Sequence, residues 1–192
     1  MNNFANIITI SGALGSGKST VMNMLAADLG YDTYSTGAAQ RKIALKYGVT
    51  TLQLNHMADK DPAIDKEIDG VFRNLQNSGK NYIVDSRMAF YFLPDSFKVK
   101  LNVSPDEAAR RVFEDKTRIS EVKFDTVENA KATLIARRAS EVARFVGTYG
   151  VNIDDEKNFD LVVDTTDKTP KQICKHIISE FKRSKYYHRE RE

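Results

Sequence analysis

At 192 residues, with 41% hydrophobic and 29% charged side chains, the chain is long enough to bury the core of one folded domain and is not composed like a disordered segment. It has no apolar run near the roughly 20 residues that span a bilayer, no basic or apolar secretory start in Met1–Asn6, and a single cysteine, Cys174, which excludes an internal disulfide and fits a reducing, cytoplasmic compartment. The net charge of +3 is too small to indicate a nucleic-acid partner; the basic residues fall instead into clusters at 110–118, 137–144 and 182–191.

In chain order, Ala5–Ile10 predicts a short buried strand ended by a Ser-Gly turn. From Ser19, Val21, Met22, Leu25, Ala26 and Leu29 recur at helical spacing, and Gly30 is a natural stop. Tyr31–Tyr34 predicts a second strand, followed after Gly37 by helical segments to Ser78-Gly79 with a break near Asp61-Pro62. Tyr82-Ile83-Val84 predicts a strand that stops at Asp85, and Phe97–Val103 a further one, with Pro105 opening a helix. A long helix is expected over Thr126–Tyr149, a last strand over Phe159–Asp164, and a final helix after Thr169-Pro170. Strands alternating with helices predict a doubly wound, three-layer α/β/α fold around a mostly parallel five-stranded sheet. Such sheets bind ligands at the carboxyl ends of their strands. That edge collects Gly12–Ser19, Ser35–Gly37, Asp85–Arg87 and Asp164.

Gly12-Ala13-Leu14-Gly15-Ser16-Gly17-Lys18-Ser19 joins the first strand to the first helix and fits the Gly-x4-Gly-Lys-Ser spacing of a phosphate-binding loop. Glycines permit the backbone conformations that turn successive N–H groups inward, and the helix that follows directs its positive end at the same point. Lys18 is placed to reach the β- and γ-phosphates of ATP, Ser19 to ligate Mg²⁺, and Thr20 completes the loop's binding set. No Asn-Lys-x-Asp segment of the GTPase kind is present. A short chain with an arginine-rich second half instead suits a kinase of a small phosphorylated metabolite, because arginines and Mg²⁺ neutralise two polyanions brought together.

The remaining site candidates follow from position. Asp85, at a strand end, is placed to organise the metal shell or the acceptor, and Arg87 to grip an acceptor phosphate bidentately. Ser35 and Gly37 stand at a helix start that serves equally as a cap and as an anion contact, and Arg41 lies one turn inside that helix. On the long helix, 100° per residue gathers Arg137, Glu141 and Arg144 on one face. Ile135, Ala139, Val142 and Val146 are expected on the opposite, core-facing side. From spacing alone, the arginine face reads equally as a solvated ion-pair face or as a pair of phosphate-binding arginines with Glu141 orienting Arg137. The polar stretch from Asp115 to Phe124 suits a closing lid, with Arg111 and Arg118 as arginines that fold over ATP.

Ser35-Thr36-Gly37 with Arg41 resembles the Ser-Thr-Gly-x-x-x-Arg element of cytidylate kinases, the archaeal-type group above all. The likeness extends in order through Asp61-Pro62-x-Ile64-Asp65, Asp85-Ser86-Arg87, Arg137-x-x-Ser140-Glu141-x-x-Arg144, Tyr149-Gly150-Val151 and Phe159–Thr165. It implies ATP-dependent phosphorylation of CMP or dCMP with Mg²⁺, Arg137 and Arg144 acting on the transferring group and Arg111 at the root of the lid. The pattern departs at Ser86, where Gly is usual; at Met88, where bacterial-type members carry aspartate and archaeal-type members an apolar residue; at Asp115, where arginine is expected; and at Arg138, where archaeal-type members often have Glu.

The expected organisation is a single kinase domain over residues 1–192, with an acceptor-binding helical region at about 36–80, a lid at about 115–125 and a polar tail at about 182–192 that frays into solvent. Small nucleotides are the expected partners, with no membrane or nucleic acid, and a monomer or homodimer as the working unit. The alternatives are a kinase of another small metabolite such as shikimate, a non-catalytic ATP-binding protein, and a nucleic-acid-binding ATPase using the basic tail.

Overall fold

Five strands, Ile7–Gly12 (β1), Asp32–Ser35 (β2), Tyr82–Asp85 (β3), Phe97–Asn102 (β4) and Leu161–Asp164 (β5), pair in parallel in the order β2-β3-β1-β4-β5. The computed structural model describes residues 5–49, 53, 54, 72, 74–115 and 124–188. The Asp61–Asp65 stretch, the break near Pro62, most of the expected lid with Arg118, and the last residues of the tail lie outside them.

β1 is central and buried along its whole length. Ile8 and Ile10 face Val21, Leu25, Ile173, Ile177 and Phe181, contributed by helices Lys18–Leu29 (α1) and Pro170–Arg183 (α6). Ile7 joins Val84, Phe72, Leu75, Ala89 and Leu93 in a separate cluster, in which Ala89 opens the short helix Ala89–Phe92 (α3). Cys174 is a buried member of the first cluster, as its apolar neighbours in the sequence predict. Thr9, a buried polar residue of β1, is satisfied by Ser96, whose Oγ lies 3.3 Å from Thr9 Oγ1.

The helices begin where side chains can cap them. Ser35 Oγ accepts from the N–H of Ala38 at the start of Thr36–Tyr47 (α2), Ser104 from Glu107 in Pro105–Glu114 (α4), and Thr126 from Asn129 in Val127–Tyr149 (α5). Thr169 and Gln172 form a reciprocal capping box at α6. Among the described residues no helix is long and apolar enough to cross a membrane.

Two expectations fail. Ile135 and Val146 are 52% and 45% exposed, whereas the buried residues of α5 are Ala130 and Phe145. The periodicity identified a shared face, but α5 stands away from the sheet at that face. Leu134, Ile135, Ala139, Val142 and Ala143 look across a cleft of about 660 Å³ toward Leu101, Val103, Pro105 and Ala108. The tail also does not fray immediately after α6. Tyr186 and Tyr187 pack on the first core cluster. His188 and Asn6 exchange hydrogen bonds of 2.7 and 2.9 Å that tie this stretch to the start of β1.

Candidate active site

The loop after β1 has the backbone that its glycines allow. Gly12, Gly15 and Gly17 take φ of +152°, +81° and +83°. A Cβ on Gly12 would collide with the carbonyl of Leu101, and one on Gly15 would sit 2.7 Å from that of Ala108. Gly17 is the N-cap of α1 without a capping side chain, so the helix presents unclaimed N–H groups to the space above the loop. Lys18 is only 9% exposed, and its Nζ donates to the carbonyl of Ala13 at 2.8 Å. Burial brings its pKa from 10.5 down to about 8, opposed by Asp85 and assisted by Arg87.

Asp85, at the carboxyl end of β3, is buried and accepts from the Ser19 hydroxyl at 3.3 Å. The strand end is fixed by neighbours: Thr36 Oγ1 donates to the Asp85 carbonyl, and Ser11 Oγ to that of Arg87, each at 3.4 Å. Ser86 replaces the usual glycine without distortion, because its N–H bonds Ile10 and its hydroxyl caps the N–H of Met88. Met88 turns inward, against Phe90, Phe145 and Ile153.

Glu141 of α5 is the hub of the arginines. Oε2 accepts from Arg87 Nε at 2.5 Å, and Oε1 from Arg137 Nε at 3.2 Å. Burial alone would raise the Glu141 pKa, but Arg87 and then Arg137 and Arg138 hold the carboxyl below its ordinary 4.5. The sequence anticipated the Arg137–Glu141 pair; that the same carboxylate also holds Arg87, just beyond β3, is visible only in three dimensions.

One cleft of about 420 Å³ is lined by Leu14, Gly15, Gly17, Lys18, Ser19 and Thr20 of the loop, Ser35, Gly37 and Arg41 of the second strand–helix unit, and Asp85, Arg87 and Arg137. Its volume is in the range of small-ligand pockets. The lining also includes Asp115, at the start of the expected lid, and Asn23 and Gln40, which the sequence reading did not single out. Asn23 follows Ser19 by one helical turn and Gln40 adjoins Arg41, so helical spacing was the available signal.

Two expected site residues are placed differently. Arg144 is not among the lining residues of this cleft, and its guanidinium stands 4.9 Å from the Phe145 ring centroid. Arg111 is also outside the lining and is engaged by protein: its Nη1 donates to the Gly15 carbonyl at 3.3 Å and its Nη2 to the Thr165 and Thr166 carbonyls at 2.7 and 3.1 Å, while Nε pairs with Glu107 at 2.8 Å. It clasps the phosphate loop to the turn after β5.

The Ser19 and Asp85 oxygens suit a divalent cation. Adjacent oxygens on an octahedral Mg²⁺ bound at 2.1 Å stand about 3 Å apart, close to the 3.3 Å observed. Among the described residues no group of three or more His, Cys, Asp or Glu could hold a metal by itself. The pair would share an ion with phosphate oxygens and water, as Mg²⁺ does in phosphoryl-transfer sites.

Comparison with known proteins matches residues 7–167 to the model of the cytidylate kinase-like family. A cytidylate kinase of Sulfurisphaera tokodaii is 35% identical over 175 residues, covering 89% of this chain and 92% of that protein. One from Methanobrevibacter smithii is 30% identical, covering 92% and 98%. An S-adenosylmethionine-dependent nucleotide dehydratase of Lacinutrix mariniflava is 36% identical over 179 residues; the match spans 92% of this chain but only 36% of that protein's length. Among solved structures, a shikimate kinase from Acinetobacter baumannii bound to shikimate superposes with a TM-score of 0.61 at 17% identity, covering 95% of this chain and 96% of that one. The fold is that of the P-loop kinases.

Proposed function

The chain belongs to the cytidylate kinase-like family, and from that membership we propose that it transfers the γ-phosphoryl group of ATP to a nucleoside monophosphate, CMP or dCMP in preference to others. The observation that carries this reading is the meeting in one cleft of the phosphate loop, Asp85, and three arginines from three separate elements, Arg41, Arg87 and Arg137. A protein that only binds ATP has no need of arginines directed at a second anion.

In this reading Lys18, the N–H groups of Gly12–Thr20 and the open end of α1 hold the donor phosphates. Ser35, Gly37, Arg41 and Arg87 hold the acceptor, with its phosphate on the two arginines. An acceptor phosphate oxygen attacks the γ-phosphorus, the bond to the bridging oxygen breaks, and ADP leaves with the electron pair. Arg137, oriented by Glu141, balances the negative charge on the transferring group. Ser19 and Asp85 would hold Mg²⁺, which neutralises phosphate charge when bound. Arg144 joins this set only if α5 moves toward the cleft, and the space beneath that helix leaves room for the movement. Arg111 supports the loop from behind. No covalent enzyme intermediate is required, since positioning and charge neutralisation supply the catalysis.

The working unit is proposed as one kinase domain with an acceptor region at about 36–80 and a lid at about 115–125, acting in the cytoplasm as a monomer or homodimer. The dehydratase match does not favour a dehydratase reading, because the matched part of that protein has the size of a free-standing cytidylate kinase.

The test is ADP formation from ATP and Mg²⁺ over a panel of nucleoside monophosphates together with shikimate and gluconate. CMP or dCMP should give the highest kcat/KM. A preference for a non-nucleotide acceptor, or ATP hydrolysis indifferent to every acceptor, would refute the proposal.

A further inference from the structure

Arg87 faces a conflict in the acceptor reading. It is to grip the acceptor phosphate, yet its Nε lies 2.5 Å from Glu141 Oε2, and the Glu141 side chain is only 11% exposed. A carboxylate at that depth cannot lose a cationic partner cheaply, because water is not at hand to replace it. Arg138, one helical turn before Glu141, stands beside the same oxygen. Its Nη1 is 3.7 Å from Oε2, too far for a hydrogen bond, and is buried with no hydrogen-bond partner among the described residues.

The rest of the Arg138 guanidinium is fixed. Its Nη2 donates to Asp154 Oδ1 at 2.6 Å and to the Ile153 carbonyl at 3.4 Å, and its Nε contacts both Asp154 oxygens at 3.2 and 3.3 Å. Asp154 is in turn held by the buried Lys100, whose Nζ bonds the Asp154 carbonyl at 2.7 Å and lies 3.5 Å from Oδ1. A rigid cation therefore waits just beyond bonding distance of the one Glu141 oxygen that Arg87 occupies.

We propose that Arg138 is a relief partner for Glu141: as the acceptor phosphate draws Arg87 away, Arg138 Nη1 closes on the vacated Oε2, so the buried carboxylate keeps two cations and Arg87 is released to the substrate. This rests on the acceptor role of Arg87. Arg138 is a positioning residue that touches neither nucleotide, and its effect falls on acceptor binding rather than on ATP.

The experiment is steady-state kinetics of Arg138→Lys, with Arg138→Ala alongside. A lysine can keep a single ion pair with Asp154 and so preserve the anchor, but one ammonium cannot also reach Glu141. The expected result for Arg138→Lys is a near-wild-type melting temperature, an acceptor KM raised about tenfold and an unchanged ATP KM. Arg138→Ala should show the same acceptor effect together with a lower melting temperature. An unchanged acceptor KM in Arg138→Lys, or acceptor and ATP KM values rising together, would overturn the relief role while leaving the kinase reading intact. A wild-type protein that phosphorylates no nucleoside monophosphate would overturn both.

Discussion

The hydroxyl of Ser19 donates to the carboxylate of Asp85 across 3.3 Å, joining the first turn of α1 to the carboxyl end of β3. Both oxygens face the cleft shared by Lys18 and Arg87. If the pair forms the protein's share of a Mg²⁺ shell, Asp85→Asn keeps the shape and the hydrogen bond but removes the charge. The variant should need more Mg²⁺ for half-maximal rate, with activity lower by roughly 10–100-fold. A Mg²⁺ titration of kcat checks this, and an unchanged midpoint would remove Asp85 from the metal shell.

Lys18 carries a pH signature. Its pKa in the fold is about 8 against 10.5 outside it, so below pH 8 both states are protonated and the fold bears the whole cost of a buried ammonium. Between pH 8 and 10.5 the folded protein sheds this proton while the unfolded chain keeps it, and stability rises; above 10.5 the cost is gone. The lowering is worth on the order of 3 kcal/mol. Lys18→Met should therefore melt higher than wild type at pH 7 without nucleotide, and the difference should shrink toward pH 10. Its kcat should fall by at least about 10²–10³-fold. Because phosphates restore the charge, ATP binding to the wild type near pH 8.5 should take up a proton, seen as a calorimetric heat that varies with the buffer's ionisation enthalpy.

Glu141 has the opposite sign. Its carboxyl is held below 4.5 by Arg87 and Arg137 in spite of burial, so its contribution is present above about pH 4.5 and lost as pH falls through the lower folded value. Glu141→Gln should lower the melting temperature at pH 7 and flatten its decline in acid. Removing one partner of a buried ion pair costs about 3–5 kcal/mol. In kinetics, Arg137 loses the carboxylate that orients it and kcat should fall. Arg87, no longer held by Glu141, should bind the acceptor no more weakly, so acceptor KM should not rise. A variant that loses stability yet keeps both constants would make Glu141 purely structural.

Much of the site was legible in the sequence because its residues sit at strand ends, and a parallel sheet sends all such ends to one edge. The segments around Lys18, Ser35, Asp85 and Arg87 are read from short apolar runs that stop at polar or glycine residues, a local signal. Distances perpendicular to that edge are not local. The period of α5 groups Ile135 with Ala139 and Val142, but it carries no information on how far the helix stands from β4, so this face borders a cleft, and of the three only Val142 also packs on a core cluster. Likewise the alternating charges at the chain's end conceal Tyr186 and Tyr187, whose packing depends on Phe97 and Phe181 lying beneath them. The Arg87–Glu141 bond joins residues 54 positions apart on different elements, and no spacing rule reaches that far.

Arg111 separates two ways in which an arginine can serve a phosphate site. As a residue folding over ATP it would act only when nucleotide is present, and its replacement would spare the stability of the free protein. The structure has its guanidinium bonded to the carbonyls of Gly15, Thr165 and Thr166, with Glu107 on its Nε. Removing it strips charge-assisted bonds from those carbonyls, and the loop loses its tie to the turn after β5. Arg111→Ala should therefore lower the melting temperature of the nucleotide-free protein by about 5–10 °C. The ATP KM should rise because Gly15 is no longer held, whereas the acceptor KM should change little. Arg111→Lys, with one ammonium in place of the fork, should recover only part of either loss. If instead the free protein melts as the wild type does and only kcat falls, Arg111 acts on the phosphates directly, and its present bonds are exchanged for them when ATP binds.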